Sequence, residues 1–376
     1  MKFTNLAVGL TAATIAAGAA QAEMRLSLGV PDAHPFYQPL VEFGEALEAA
    51  GVETSVFSLQ VLSAAEAASG VRDGLVDGAM VVMPYFANEF SEANLTSELS
   101  MLATSGTPAE YSGAAMEGAT MEYIMLNCPE CQEQFKAQNQ VYVSGVSSSD
   151  YTLVCNKPIS TVADLQGARI RSGAGNYTRI AEAMGASVVS LKGAEVFDAL
   201  SHGVVDCTMQ PAASIIDFRF IEVASSVLIG YPGGVFSGIA LPSINRDSWQ
   251  SLTLEQRAAA LKAVAKTSAE GFFNNITLDE SALAEAREKG MQVFEADAEL
   301  KERIASFVEA DLETIREEQT NQFGIQNVDE KIAQIRELIE KWKGLTNEPG
   351  MDSTKLADLY WTEIFSKVDP ATYGVD

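Results

Sequence analysis

The residues with chemistry to offer are few and scattered. Arg171 stands in "GARIRSG" at the carboxyl end of an expected strand, beside a Ser and Gly turn, where a parallel sheet opens into a cleft. A guanidinium there can hold a carboxylate by two parallel hydrogen bonds, though the same residue also suits a surface ion pair with an Asp or Glu. Arg169 and Arg171 share a strand face by the period of two, so the strand is expected to end or twist after Ile170, leaving Arg169 at the far rim. Catalysis finds little support. No Ser sits in a Gly-x-Ser-x-Gly elbow, His34 and His202 are the only histidines, and no His/Cys/Asp cluster has metal-ligand spacing. His34, between the prolines of "GVPDAHPFYQ", reads as a turn residue or a pocket lining; His202, at a helix end, suits capping there.

Four cysteines fit an oxidising compartment. Cys128 and Cys131 form "CPEC", which reads as a local structural disulfide, a redox pair or two free thiols. A thioredoxin-like pair should follow a strand at the start of a compact domain, whereas this one follows the apparent helix "EYSGAAMEGATMEYIMLN", which favours the structural disulfide. Cys155 and Cys207 lie on two expected strands and can bridge if those strands are neighbours.

The elements that must position these groups show an internal echo. "RDGLVDGAM" at 72–80 and "SHGVVDCTM" at 201–209 share a Gly, two apolar residues, an Asp, two small residues and a Met. Glu66 precedes Asp77 by the same eleven residues that separate Glu195 from Asp206. Each block reads as a helix ended by Gly and running into a strand, so two similar α/β lobes are expected. The first lobe alternates strand, helix, strand, helix, strand from "MRLSLGV" to "GAMVVMP", the pattern of a parallel sheet. The second starts from a strand over 142–155 that leads out of the first lobe, and continues through "ARIRSG", "SVVSL" and "VVDCTMQP". The run 225–244 carries the chain back, which makes a two-stranded hinge. Beyond 247 the chain is helical: Thr253 and Gln256 have capping-box spacing at the head of a long amphipathic helix, and further helices are expected at 279–289, 297–317 and 328–343. The tail after Gly344 reads as a last short helix and a surface extension.

Residues 1–22 read as a secretory leader, with Lys2, an apolar stretch at 6–20 and the small-residue site "AQA". No cysteine sits at the cleavage point to carry a lipid, and no other segment is apolar for long enough to span a bilayer. The product is expected to be soluble and exported, without membrane insertion. With 51 acidic against 25 basic residues, the chain lacks a basic stripe for nucleic acid or anionic lipid. An anionic ligand therefore needs a local cation against an unfavourable field.

The leader, "GVPDAHPFYQPLVEF", the Glu66-to-"GLVDGAM" block, "NKPISTVADLQGARIRSG", "MGASVVSLKGAEVFDALSHGVVD" and "ALPSIN" together resemble the substrate-binding proteins of tripartite ATP-independent periplasmic (TRAP) transporters, in order over 24–320. The resemblance implies two α/β lobes, a long helix spanning both, and a cleft closing on an organic acid for delivery to membrane permease subunits, with no cofactor and no catalysis. It puts the carboxylate clamp at Arg171. The amide commonly carried by a Glu-Asn-Pro triplet falls on Gln210 in "TMQP", and Met209 replaces the usual acid. A second Arg that many members carry roughly twenty residues before the clamp is replaced by Tyr151, with no basic residue nearby until Lys157. One carboxylate per ligand is therefore expected, because an unpaired buried one is costly. Phe36, Tyr37, Met83, Tyr85, Tyr151, Met209 and Phe236 suggest an aromatic or apolar ligand body; Glu66 and His34 join the expected site. The division expected is lobe 1 from 23–147 with about 240–275, lobe 2 from 148–239 with about 276–320, and a helical extension over 321–376 packing across the lobes. Competing readings are a dicarboxylate or hydroxy/keto-acid receptor, a receptor serving a sensor, and a secreted enzyme on the same scaffold.

Overall fold

The two copies of the repeated phrase fold into the same local device. In the computed structural model, which describes residues 23–375 apart from Pro232, Asp77 and Asp206 each clip a strand opening. The Arg25 N–H donates to Asp77 Oδ2 and the Arg169 N–H to Asp206 Oδ2, both at 2.9 Å. In return the Asp77 and Asp206 N–H groups donate to the carbonyls of Arg25 and Arg169. Gly74 and Gly203 both take positive φ, which a side chain would resist, and this turns each helix into the following strand. The expected leader, 1–22, lies outside the described residues.

Two six-stranded sheets result. The first runs Thr54–Phe57, Met24–Ser27, Gly78–Val82, Ile239–Asn245, Gln140–Tyr142, with Gly145–Val146 also paired to Ile239–Asn245. Its first three strands are parallel, as the alternation of strand and helix predicts. The second runs Gln292–Glu295, Ser226–Ile229, Thr152–Cys155, Cys207–Gln210, Arg169–Ser172, Ser187–Ser190. Thr152–Cys155 is antiparallel to both neighbours, with Cys155 directly opposite Cys207. Both expected sulfur pairs are bridged, Cys155 to Cys207 and Cys128 to Cys131. The second pair caps the helix Pro129–Ala137 and is buried, which leaves it no accessible thiol chemistry.

The expected strand over 142–155 is instead three short ones, interrupted where Ser147, Ser148 and Ser149 cross between the sheets. The returning segment crosses beside them: the Ser148 N–H donates to the Phe236 carbonyl and the Tyr151 N–H to that of Gly234. The hinge is thus two-stranded and hydrogen-bonded, with Tyr151 and Phe236 at its centre.

Thr253 and Gln256 form the expected capping box, but the helix they open runs unbroken over Leu254–Glu288. The separate helix expected from 279 is its continuation. Asn274, Asn275 and Thr277 are mediocre helix formers, a weak preference that packing overrides: Asn275, Ala282 and Ala286 continue the buried stripe. At 35 residues the helix is roughly 50 Å long, and it touches the helix Tyr37–Ala49 on one side and the strand Gln292–Glu295 on the other. That edge strand was not anticipated, being short and only half-buried. Ala298–Asn321 packs on helices of both lobes, Ser91–Glu98 and Gly175–Ala183. Later segments pack mainly on the first lobe's side: Val328–Thr346 against Ser112–Glu122, and Ser353–Glu363 against the long helix. The expected surface tail is anchored there too, since the Trp249 Nε1–H donates to the Tyr373 carbonyl at 2.8 Å and the Tyr373 hydroxyl to the Tyr142 carbonyl at 2.5 Å. Tyr373 spaced three residues from Pro370 gave no sign of this, because its partners lie over a hundred residues away.

Candidate functional site

Between the sheets, at the carboxyl ends of their parallel strands, lies a cavity of about 650 Å³. Arg171 enters it from Arg169–Ser172. That strand does not end after Ile170; the two arginines share its face but stand at opposite ends. Arg169 is exposed and pairs with Asp206 at 2.6 Å, while Arg171 is only 3% exposed. Lys157 also belongs to the far end, 3.2 Å from Asp206.

Arg171 is oriented from two sides. Its Nε–H donates to the Leu191 carbonyl at 2.8 Å and its Nη2–H to the Tyr85 hydroxyl at 3.4 Å. Gly173 makes room for this pose, because a Cβ there would stand 2.7 Å from Nη2. Among the described residues, no carboxylate lies within 4 Å of the guanidinium. Tyr85 comes from the turn Met83–Phe86 that follows the first sheet's Gly78–Val82, and its hydroxyl also accepts the Gly193 N–H at 3.1 Å. One phenol therefore ties the first lobe to two groups of the second.

Gln210 ends Cys207–Gln210 and lines the cavity. Its Oε1 accepts from Thr208 Oγ1 at 3.0 Å, which leaves the amide nitrogen as its available donor. Tyr151 stacks on Tyr177 with ring centres 4.6 Å apart, and Phe236 stacks parallel to both. Burial pushes the Tyr151 phenol well above its ordinary range, with nearby Arg171 working in the opposite direction. His34 and Phe36 reach the cavity from the loop after Met24–Ser27. Burial drops the His34 imidazole to about 3, so it is neutral at physiological pH.

The structure thus brings together Arg171, Gln210, Tyr151, Tyr85, Phe236, His34 and Phe36. It does not bring four other expected residues to the cavity. Glu66 is turned into its own loop, where its carboxylate accepts from Ser63 N–H and Oγ–H and stays exposed. Tyr37 opens a helix, half-buried behind Phe36. Met83 is core, and Met209 is buried with its sulfur facing the Tyr231 hydroxyl. Alternation explains Met209: next to Gln210 on a strand, it points to the opposite face.

Sequence reasoning missed several lining residues, among them Phe197, Phe218, Asp217, Asn275 and Lys192. Asp217 had a weak signal, as the only acid in the otherwise apolar "AASIIDF". Lys192, beyond the stretch around Tyr151 where no cation was expected, adds a basic group to the lining, although it is exposed. Among the described residues there is no group of acids, histidines and cysteines able to hold a metal ion, and no helix long and apolar enough to cross a membrane.

The profile of the family described as DctP, bacterial extracellular solute-binding protein, family 7, matches residues 27–319. A solute-binding protein of Albidiferax ferrireducens is 26% identical over 212 residues, covering 53% of this chain and 59% of the relative, less than two thirds of its length. A TRAP periplasmic solute-binding protein of Bordetella bronchiseptica, solved with (R)- and (S)-mandelate, superposes with a TM-score of 0.71 at 22% identity, over 85% of this chain and 99% of that one. A marine metagenome TRAP solute-binding protein specific for aromatic acids, solved with 3-hydroxybenzoate, gives 0.73 at 19% identity over 86% and 99%. At these identities, what is shared with the solved structures is the two-lobed fold.

Proposed function

Because the chain belongs to family 7 of the bacterial extracellular solute-binding proteins, we propose that it is a periplasmic TRAP receptor that captures a small monocarboxylic acid with an aromatic or apolar body. One observation carries this reading: Arg171 is buried in a largely apolar cavity that includes several aromatic side chains, and among the described residues no carboxylate comes within ion-pair distance of it. A buried cation without a counter-charge is costly, and a ligand carboxylate removes that cost.

Arg171 pairs with the carboxylate while Gln210 donates its amide N–H. Phe36, Phe236 and Tyr151 enclose the body, and closure of the lobes excludes water and strengthens the pair. Tyr85 couples capture to closure, because the hydroxyl that orients Arg171 belongs to the opposite lobe. The closed form is the one offered to a membrane permease, and binding selects it through its higher affinity there. Lys192 does not make a strong second anchor for a dicarboxylate, since an exposed ammonium is screened by solvent. The ligands of the two structural relatives, mandelate and 3-hydroxybenzoate, support the monocarboxylate class.

Calorimetric titration of the processed protein with aromatic monocarboxylates and aliphatic dicarboxylates tests this. The expected result is selective binding of monocarboxylates that Arg171→Ala abolishes. Tight binding retained by that variant removes the clamp, and a preference for dicarboxylates overturns the ligand class.

A further inference from the structure

The same cavity holds a second buried charge-bearing group that carboxylate capture leaves unused. Asp217 ends the short helix Ser214–Asp217, lines the cavity, and has a side chain only 4% exposed. Its Oδ1 is buried without a hydrogen-bond partner among the described residues. The groups around it do not answer this. His34 Nε2 stands 3.8 Å from Asp217 Oδ2, beyond hydrogen-bond range, and the imidazole is neutral. Its Nδ1 accepts the Phe36 N–H, so the ring proton resides on Nε2. Asp279, on the long helix, adds only like charge and is itself engaged by the Ala213 N–H at 2.5 Å. Arg219, the adjacent cation, pairs with Glu222 at 2.8 Å.

A buried acceptor without a donor carries its full desolvation cost, whereas an apolar residue at that position would carry none. The missing donor has an open source, the molecule that fills the cavity. We propose that Asp217 is a second polar anchor, accepting a hydrogen bond from a hydroxyl or amino group on the ligand's body, away from the carboxylate held by Arg171. This rests on the capture reading above and narrows its ligand to acids bearing such a donor. Burial pushes the Asp217 carboxyl up to about 7, with Asp279 adding to the shift and the N–H groups of Phe218 and Asp217 opposing it. The anchor is therefore poised to ionise when a donor arrives.

The test is a set of titrations with benzoate, 3- and 4-hydroxybenzoate, 4-(aminomethyl)benzoate and the acceptor-only 4-formylbenzoate, on the wild type and three variants. In the wild type a donor-bearing acid is expected to bind about ten- to a hundredfold more tightly than benzoate. Asp217→Ala should collapse that ratio to within about threefold. Asp217→Asn, which keeps an acceptor oxygen without the charge, separates the two donors: it retains a preference for a hydroxyl and loses one for an ammonium. No donor preference in the wild type, a preference for the formyl compound, or a preference that survives Asp217→Ala overturns the anchor. Arg171→Ala distinguishes the two levels. If it abolishes benzoate binding while the Asp217 arm fails, only the anchor falls; if benzoate binding is indifferent to it, the capture reading itself falls.

Discussion

Arg171 and Arg179 stand eight residues apart in the second lobe, one on a strand end and one on the next helix, and their surroundings are opposite. Arg179 is saturated: its guanidinium reaches Glu98 at 2.9 Å, Asp311 at 2.7 Å and Glu318 at 3.0 Å. Burial alone would lower its pKa, but those three carboxylates raise it further above its ordinary value. Because Glu98 belongs to Ser91–Glu98 and the other two acids to Ala298–Asn321, this cluster ties both lobes to the crossing helix. Arg171, more deeply buried, has a carbonyl and a phenol and no acid. A satisfied arginine is architecture, whereas an arginine whose charge the protein leaves unmatched is available to a ligand.

The largest expected effect breaks the saturated member. Arg179→Leu leaves Glu98 and Asp311 buried without their cation, and should lower unfolding stability by about 3–5 kcal/mol in chemical denaturation of the ligand-free protein. A loss near zero would mean that the cluster is not structural, and the contrast would collapse. Next, Arg171→Met should cost about 3 kcal/mol of ligand affinity, roughly a hundredfold, while leaving ligand-free stability within about 1 kcal/mol of wild type. Equal damage to stability would make Arg171 a second brace.

Glu117 offers the inverse case, a buried acid with no cation beside it, and burial pushes its carboxyl up to about 8 despite the Tyr142 hydroxyl. The folded chain then keeps a proton that the unfolded chain releases, so stability present below about pH 4.3 is lost as pH rises through the folded value. Between pH 5 and 7 this single group should remove roughly 2–3 kcal/mol. Glu117→Gln should flatten that decline in denaturation curves taken across the range; an unchanged slope would show that Glu117 keeps its charge. The smallest effect tests the tie between lobes. Tyr85→Phe removes the hydroxyl that meets Arg171 and Gly193, and should weaken ligand binding by about 1 kcal/mol, seen as faster release in stopped-flow fluorescence. A loss as large as that of Arg171→Met would mean that the guanidinium depends on Tyr85 for its pose.

Much of the fold was legible because it rests on local rules. The repeated Gly-to-Asp phrase announced two similar lobes, and strand-helix alternation announced the first parallel sheet. The Thr253 and Gln256 cap marked the head of the long helix. What was illegible was non-local. The 142–155 segment reads as one strand by composition, but the crossing between sheets breaks it. A separate helix was expected from 279, yet the long helix continues through Asn274, Asn275 and Thr277 because its buried stripe does. In the site, Arg171 and Gln210 were found at strand ends, where side chains of an α/β sheet meet a cleft. Met209 and Glu66 were misplaced, one by strand alternation and the other because Ser63 provides a nearer partner.

The sequence by itself determined which groups exist to be used: two copies of a strand-clipping Asp, four cysteines, few cations and an arginine beside a Ser and Gly turn. Only the tertiary structure decided which of those groups are satisfied. Arg179 gains its acids from segments more than eighty residues away in either direction, and Asp217 Oδ1 gains no donor among the described residues. Charge balance at a buried site depends on what the fold brings within a few ångströms, and a linear pattern does not record that distance.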